Sequence, residues 1–289
     1  IVQVGGHSTN VNTIGNIVNK EDLIIHDELA HNSIVEGAIL SHAMRRSFKH
    51  NNLNDLEKLL GRLRKNYRRT LIVVEGAYSM DGDLCPLPDL ISIKKKYGCI
   101  LMIDEAHSFG TVGKHGAGIT EFYNSDPKDV DIIMGTLSKA CASCGGFIAG
   151  DKKFINYLRF NSPGFVFSAG ITPSNTAAAL SAIKYFRKNN TPIKKLQSNS
   201  KIFLEGVKEI GFDTGNSHNS PIIPILIGDS NKANDISKKL FDNGINALPI
   251  VYPAVKEDEA RIRFFMSSLI TQEDIDKTLN VLNEIKENI

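Results

Sequence analysis

No apolar run in this sequence approaches the length of a membrane span, and nothing at its start reads as a signal peptide. Charge of one sign is also missing. Lysine and arginine number 34 against 32 acidic residues, so a net +2 gives no basic surface that would argue for nucleic acid. Cysteine is scarce, and Cys85, Cys99, Cys141 and Cys144 fit a reduced, cytoplasmic protein better than a disulfide scaffold. Cys141-Ala142-Ser143-Cys144 has C-x-x-C spacing. A redox role needs a low-pKa thiol at a helix start, and zinc needs a second ligand pair. Neither is evident, so two small residues packed in a tight loop are expected. No Walker A loop is present, and Gly110 to Lys114 does not fit one; this excludes the helicase reading of Asp104-Glu105-Ala106-His107. Internal repeats and low-complexity tracts are absent too. The chain opens without a methionine on Ile1-Val2-Gln3-Val4, which reads as a strand from inside a protein, so a preceding segment is expected.

What is present is ordinary globular material. A hydrophobic share of 42% with 23% charged residues suits a buried core, and 289 residues can fill two domains. Short apolar runs at Leu71 to Glu75, Ile100 to Asp104, Asp131 to Gly135 and Phe147 to Ala149 read as buried strands. Helical patterns at Asn54 to Lys65, Leu87 to Tyr97 and Asp151 to Phe160 alternate with them. That alternation predicts an α/β domain with a largely parallel sheet. A helix is expected from Pro173 to Lys188, packed through Ala177, Ala178, Ala179, Ala182 and Ile183, and broken by Asn189-Asn190-Thr191-Pro192. Beyond it the pattern changes: a helix from Ile193 to Ile210, a strand from Pro221 to Ile227, a helix from Asn231 to Asn243, strands near Ala247 and Arg263, and a helix from Gln272 to Lys286. The expected division is a large domain over 1–188 and a smaller α+β domain over 189–289.

The chemistry gathers at strand ends, where parallel sheets place functional loops. Asp104 closes one strand. Lys139 follows another, in Gly135-Thr136-Leu137-Ser138-Lys139. A pyridoxal phosphate enzyme needs that pair: an amine that bonds the cofactor's aldehyde, and a carboxylate that keeps the ring nitrogen protonated. His107, three residues after Asp104, could reach the ring's phenolic oxygen or the substrate, or be structural. His31, in Ala30-His31-Asn32-Ser33, could stack on the ring or simply be a polar residue at a helix entry. Gly5-Gly6-His7-Ser8-Thr9-Asn10 opens a helix-like stretch whose amides could bind phosphate, although glycine pairs also mark plain turns. Ser168, before the helix at Pro173, could meet a phosphate as well. Arg261 and Arg263 share one face of an alternating strand, as a carboxylate fork or a solvated charged strand.

These motifs, with His26-Asp27-Glu28-Leu29-Ala30-His31-Asn32-Ser33, Phe48-Lys49-His50-Asn51, Glu75-Gly76-Ala77-Tyr78-Ser79-Met80-Asp81-Gly82 and Ala260-Arg261-Ile262-Arg263, resemble the α-oxoamine synthase family nearly end to end. The resemblance implies an α/β fold-type I pyridoxal phosphate transferase of the aspartate aminotransferase kind. It implies decarboxylative condensation of an amino acid with an acyl thioester, delivered by coenzyme A or an acyl carrier protein, to give an α-aminoketone. It further implies a cytoplasmic homodimer with Lys139, Asp104 and His107 as catalytic groups. His31, Gly6, His7, Ser79, Thr136, Ser138 and Ser168 would serve the cofactor, Ser168 across the dimer, and Arg263 would hold the substrate carboxylate. No metal is implied. Departures are Ser168-Ala169 for the family's Ser-Thr, Leu269-Ile270-Thr271 for Ala-His-Thr, and Cys144 at a small-residue position. An aminotransferase of class I or II would share fold and lysine, and a non-catalytic partner subunit would keep the fold alone.

Overall fold

A computed structural model describes residues 1–287. The chain divides into two compact units. The first holds Ile1–Tyr78 and Cys85–Asn189, and the second holds Ser79–Leu84 and the chain from Asn190 onward.

The first unit runs β1 (Val2–Gln3), α1 (Gly6–Ile17), β2 (Leu23–Asp27), α2 (Asn32–Leu40), β3 (Met44–Phe48), α3 (Leu53–Leu63), β4 (Thr70–Glu75) and α4 (Leu87–Tyr97). It continues with β5 (Ile100–Asp104), α5 (Ile119–Phe122), β6 (Ile132–Thr136), β7 (Gly146–Gly150), α6 (Lys152–Asn161), α7 (Pro163–Val166) and α8 (Pro173–Lys188). Its seven strands lie in the order β1-β7-β6-β5-β4-β2-β3. Strands β2 to β6 pair in parallel, while β7 and β1 are antiparallel additions at one side. Every residue of β2 and β4 is buried, because helices cover both faces, and this is why β4 carries the apolar run Leu71 to Val74. One face packs Leu71, Val73, Met102, Ile132 and Met134 against Ile14, Ile24 and Ile34. Helices α1 and α2 touch at Gly37, where a Cβ would come within 2.9 Å of Ile14 Cβ and 3.2 Å of the Asn10 carbonyl. The parallel register then brings strand ends together: Glu75 pairs with Asp104, and Asp104 with Met134.

The strand expected at Ile1 to Val4 is β1, and the four further strands expected in this unit correspond to β4–β7, shifted by at most one residue at their ends. Strands β2 and β3 and helix α2 were not anticipated. Helix α8 matches its expected bounds but not its expected face. Ala177 and Ala178 are exposed, and the buried side carries Ala179, Ala182, Ile183 and Phe186, against Leu137 and Cys141. A helix presents one stripe at intervals of three and four residues, so three consecutive alanines cannot all face inward. The C-x-x-C segment is likewise split, with Cys141 buried and Cys144 exposed.

The second unit runs α9 (Thr191–Glu209), β8 (Ile222–Leu226), α10 (Ser230–Asp242), β9 (Pro249–Ile250), β10 (Arg261–Phe265) and α11 (Gln272–Glu287). Pro192 sits in the first turn of α9, where a missing N–H costs no helical bond. The three strands form an antiparallel sheet, β8-β10-β9. Phe203, Val207, Ile223, Ile225, Ile262 and Leu282 are among the residues packed between this sheet and its helices. The short segment Ser79–Leu84 lies against β8: Gly82 has φ +69°, and a Cβ there would collide with the Ile222 carbonyl. Among the described residues, no helix is long and apolar enough to cross a membrane.

Phe203 is fully buried, with its ring centroid 4.9 Å from that of Phe264. Phe203→Ala is expected to cost about 3–5 kcal/mol through lost transfer energy and a residual cavity. Urea unfolding of the variant measures it, and a loss below about 1 kcal/mol would contradict this account of the second core.

Candidate active site

The ends of β4, β5 and β6 and the start of α1 enclose a cavity of about 210 Å³. Asp104, the last residue of β5, is buried there. Its Oδ1 accepts from the Ala106 amide at 2.8 Å, and its Oδ2 accepts from Asn10 Nδ2 at 2.6 Å. Those two donors offset the desolvation of a charge held out of water. Beside it Glu75 ends β4, also buried, with Oε1 accepting from the His31 amide at 2.6 Å. Burial, and then the charge of Asp104, push the Glu75 carboxyl well above the usual range, toward its protonated form.

His31 is placed by the turn between β2 and α2. Asp27, fully buried at the end of β2, accepts from the Leu29 amide at 2.9 Å on Oδ1 and the Asn51 amide at 2.9 Å on Oδ2. His31 then caps α2, its Nδ1 accepting from the Ser33 amide at 3.2 Å. Burial pushes its imidazole below the ordinary value, opposed by the charge of Asp104 and helped by that of Lys139.

On the opposite wall, β6 ends at Thr136. Its Oγ1 donates to the Gly145 carbonyl at 3.2 Å, which leaves Ser138 Oγ to donate to it at 2.8 Å. Helix α1 begins against this residue: a Cβ on Gly6 would lie 2.8 Å from Thr136 Oγ1. The helix has no side-chain cap and no acid in its first turn, so its first amides meet the cavity without a competing anion. Lys139 and His107 complete the lining.

Eight of the expected site residues therefore share this one cavity: Gly6, His7, His31, Asp104, His107, Thr136, Ser138 and Lys139. Ser168 stands exposed just after α7, its Oγ donating to the Ala169 carbonyl at 3.3 Å, and it is not among the lining residues. Ser79 and Arg263 belong to the second unit. Arg263 Nη1 donates to the Ser79 carbonyl at 2.9 Å, and its guanidinium lies 4.5 Å from the Phe265 ring centre. Arg261 is buried and committed locally, 2.7 Å from Asp81 Oδ1. Sequence reasoning passed over three lining residues with polar side chains, Asn10, Ser33 and Glu75, besides the apolar Ala106 and Met134. Each stood inside a quoted motif, and Glu75 was recognised as a strand end, but none carries the nucleophilic or basic chemistry that draws attention.

The class I and II aminotransferase family model matches residues 1–282. The 8-amino-7-oxononanoate synthase of Petrotoga mobilis is 43% identical over 290 residues, covering all of this chain and 73% of that protein. The chain belongs to the α-oxoamine synthases of that family. Among solved structures, a serine palmitoyltransferase from S. paucimobilis with bound PLP superposes with a TM-score of 0.94 at 30% identity, over all of this chain and 73% of that one. An 8-amino-7-oxononanoate synthase from Francisella tularensis gives 0.87 at 27% identity, over all of this chain and 82% of that one. The fold is the fold-type I transferase fold, and this α-oxoamine synthase is a pyridoxal phosphate-dependent C-acyltransferase.

The residues present fit that cofactor. An amine, a buried carboxylate with a charge to share, hydroxyls and uncapped helix amides converge on one cavity. The amide oxygen of Asn10, buried beside Asp104, has no hydrogen-bond partner, leaving an acceptor for a donor on a bound group.

Glu105, next to Asp104, is turned away from the cavity. Its carboxyl accepts from Ser108 Oγ and from the Ile119 amide at 3.0 and 3.1 Å, and burial raises it from 4.5 to about 7. A raised acid binds its proton more tightly in the folded state, so stability is greatest below the unfolded value and falls as pH rises through the folded one. Wild-type unfolding free energy should therefore drop between pH 4.5 and about 7, by on the order of 3 kcal/mol from this group. Glu105→Gln should flatten that slope. Equal slopes in urea titrations of the two proteins would show that Glu105 is ionised without penalty.

Proposed function

We propose that this α-oxoamine synthase makes 8-amino-7-oxononanoate from alanine and a seven-carbon acyl thioester with a free distal carboxylate. The carrying observation is that Lys139 and Asp104 face one cavity from adjacent strands, in a chain whose named relatives at 38–43% identity make that product. The product's chemistry dictates the substrates. Condensation joins the ketone carbon to the amine-bearing carbon. The amine-bearing carbon carries only a methyl, the side chain of alanine, and the ketone end brings seven carbons ending in a carboxylate.

When bound, pyridoxal phosphate supplies the electron sink that allows an amino acid to lose a proton or carbon dioxide beside its nitrogen. Asp104, placed by the Asn10 and Ala106 donors, would hold the proton on the ring nitrogen. The Gly6 and His7 amides, Thr136 and Ser138 would hold the phosphate. His31 would pack on the ring, and His107 would hydrogen-bond the cofactor or the substrate. Lys139 would hold the cofactor's aldehyde carbon and serve as the base for the substrate's α-proton. Arg263 holds the amino-acid carboxylate with its fork of donors.

We also read the enzyme as a cytoplasmic homodimer in which Ser168 reaches the partner's phosphate. Phe160 and Phe167, 81% and 87% exposed near Ser168, support a face covered by a second copy.

Borohydride reduction of the cofactor-loaded protein should leave the cofactor on Lys139, and Lys139→Ala should lower turnover by roughly a thousandfold or more. Mass spectrometry of reactions pairing alanine, serine or glycine with acyl-coenzyme A or acyl carrier protein donors tests the substrates. The seven-carbon donor with alanine should dominate. Preference for serine with a long unsubstituted chain would overturn the assignment in favour of serine palmitoyltransferase chemistry. A keto acid formed from the amino acid alone would indicate an aminotransferase.

Arg263→Lys should raise the KM for the amino acid about tenfold while leaving cofactor affinity unchanged, as expected for losing one charge-assisted contact. The same change at Arg261 should alter stability rather than KM, given its ion pair with Asp81. Steady-state kinetics of the two variants separate these outcomes.

A further inference from the structure

We infer that Asn10 and Ser33 are positioning residues that form a hydrogen-bond relay of fixed donor sense, running outward from the Asn10 NH2 to Asp104 on one side and through Ser33 to His31 on the other, and lock His31 as its Nε2–H tautomer. The relay is short. Asn10 Nδ2 lies 2.6 Å from Asp104 Oδ2 and 2.9 Å from Ser33 Oγ, and Ser33 Oγ lies 2.8 Å from His31 Nδ1. Asn10 and Ser33 are almost fully buried and reach the cavity through neither charge nor nucleophile.

Groups that cannot reverse fix the direction at both ends. A carboxylate only accepts, so Asn10 must turn its NH2 toward Asp104. The second hydrogen of that NH2 goes to Ser33 Oγ. With that oxygen accepting, the Ser33 hydroxyl donates onward to His31 Nδ1. At the far end the Ser33 backbone N–H, which has no acceptor form, also points at Nδ1 from 3.2 Å. A protonated Nδ1 would set two N–H groups against each other. Nδ1 is therefore an acceptor, and the ring's own proton sits on Nε2. The surroundings agree: burial, Lys139 and His7 hold the imidazole toward its neutral form, against Asp104 and Glu36.

The consequence is that the residue gripping the cofactor's ring nitrogen and the residue lying against its face are set by one network. His31 presents a donor and no basic nitrogen to the cavity. Loss of either relay residue should loosen both ends together. This reading holds whichever substrate the enzyme takes, because its test includes the protein without cofactor.

Nitrogen-15 NMR of the ring nitrogens, on protein with and without pyridoxal phosphate at neutral pH, should show an unprotonated Nδ1 and a protonated Nε2 on His31. A proton on Nδ1 would overturn the lock. Ser33→Ala removes a donor to Nδ1 and should raise the midpoint at which His31 takes up a second proton; an unchanged midpoint would count against the relay. Asn10→Ala, Ser33→Ala and the pair then form a cycle read by the cofactor dissociation constant, each single change weakening it about tenfold. Coupling is expected, with the pair costing clearly less than the product of the singles. Fold-changes that simply multiply would show two independent contacts and overturn the relay. Should Asn10→Ala fail to fold, the His31 tautomer and the Ser33→Ala midpoint decide the matter alone.

Discussion

A charged carboxylate sealed at the end of a central strand is the constraint around which this site is organised. Asp104 cannot be hydrated, so the fold must bring donors to it, and it does so from two directions: the turn that follows β5 and the first helix of the chain. Helix α1 must therefore lie tight against the sheet, which the absence of a side chain at Gly6 allows, while the absence of one at Gly37 lets α2 lie close against α1. The neighbouring acid gives way electrostatically. Glu75 is driven toward its protonated form by burial and by the charge of Asp104 beside it.

That arrangement was partly legible in the sequence. Buried parallel strands announce themselves as unbroken apolar runs, and the residues that end those runs mark the functional edge; Asp104 and the Lys139 loop were found this way. Strand β2 was missed because its last two residues are His26 and Asp27, buried polar groups that hold the next turn by hydrogen bonds. Strand β3 was missed because it is an edge strand of Met-Arg-Arg-Ser-Phe with only Phe48 buried. Helix α2 has small and apolar residues on several faces and no polar stripe to reveal its period.

The supporting polar residues were harder to see than the reactive ones. Nothing about Asn10 in isolation distinguishes a surface amide from one that holds a buried carboxylate 94 positions away. Only the fold, which lays α1 over β6 and β7 and lets Asn10 reach the end of the neighbouring β5, makes that contact intelligible. The two arginines of β10 show the converse. Adjacent on one alternating face, they differ in surroundings: Arg261 is held by Asp81 and Glu259, whereas Arg263 meets, among the described residues of its own unit, a carbonyl, a thioether and an aromatic face.

The hairpin that carries Lys139 is tied across its base. Leu137 and Gly145 pair at 2.9 Å, Ser143 returns to Leu137 at 3.0 Å, and Ser143 Oγ is fastened to α8 at the Asn175 carbonyl, 2.6 Å away. The backbone at Lys139 is thus an anchor, and the amine stays within the reach of its own four methylenes. One amine confined to a sphere of roughly 6 Å radius has an effective concentration of about 2 M, far above what any free amine in a cell could offer the same cavity. Tethering on a rigid hairpin keeps one amine abundant at the cavity, by geometry alone.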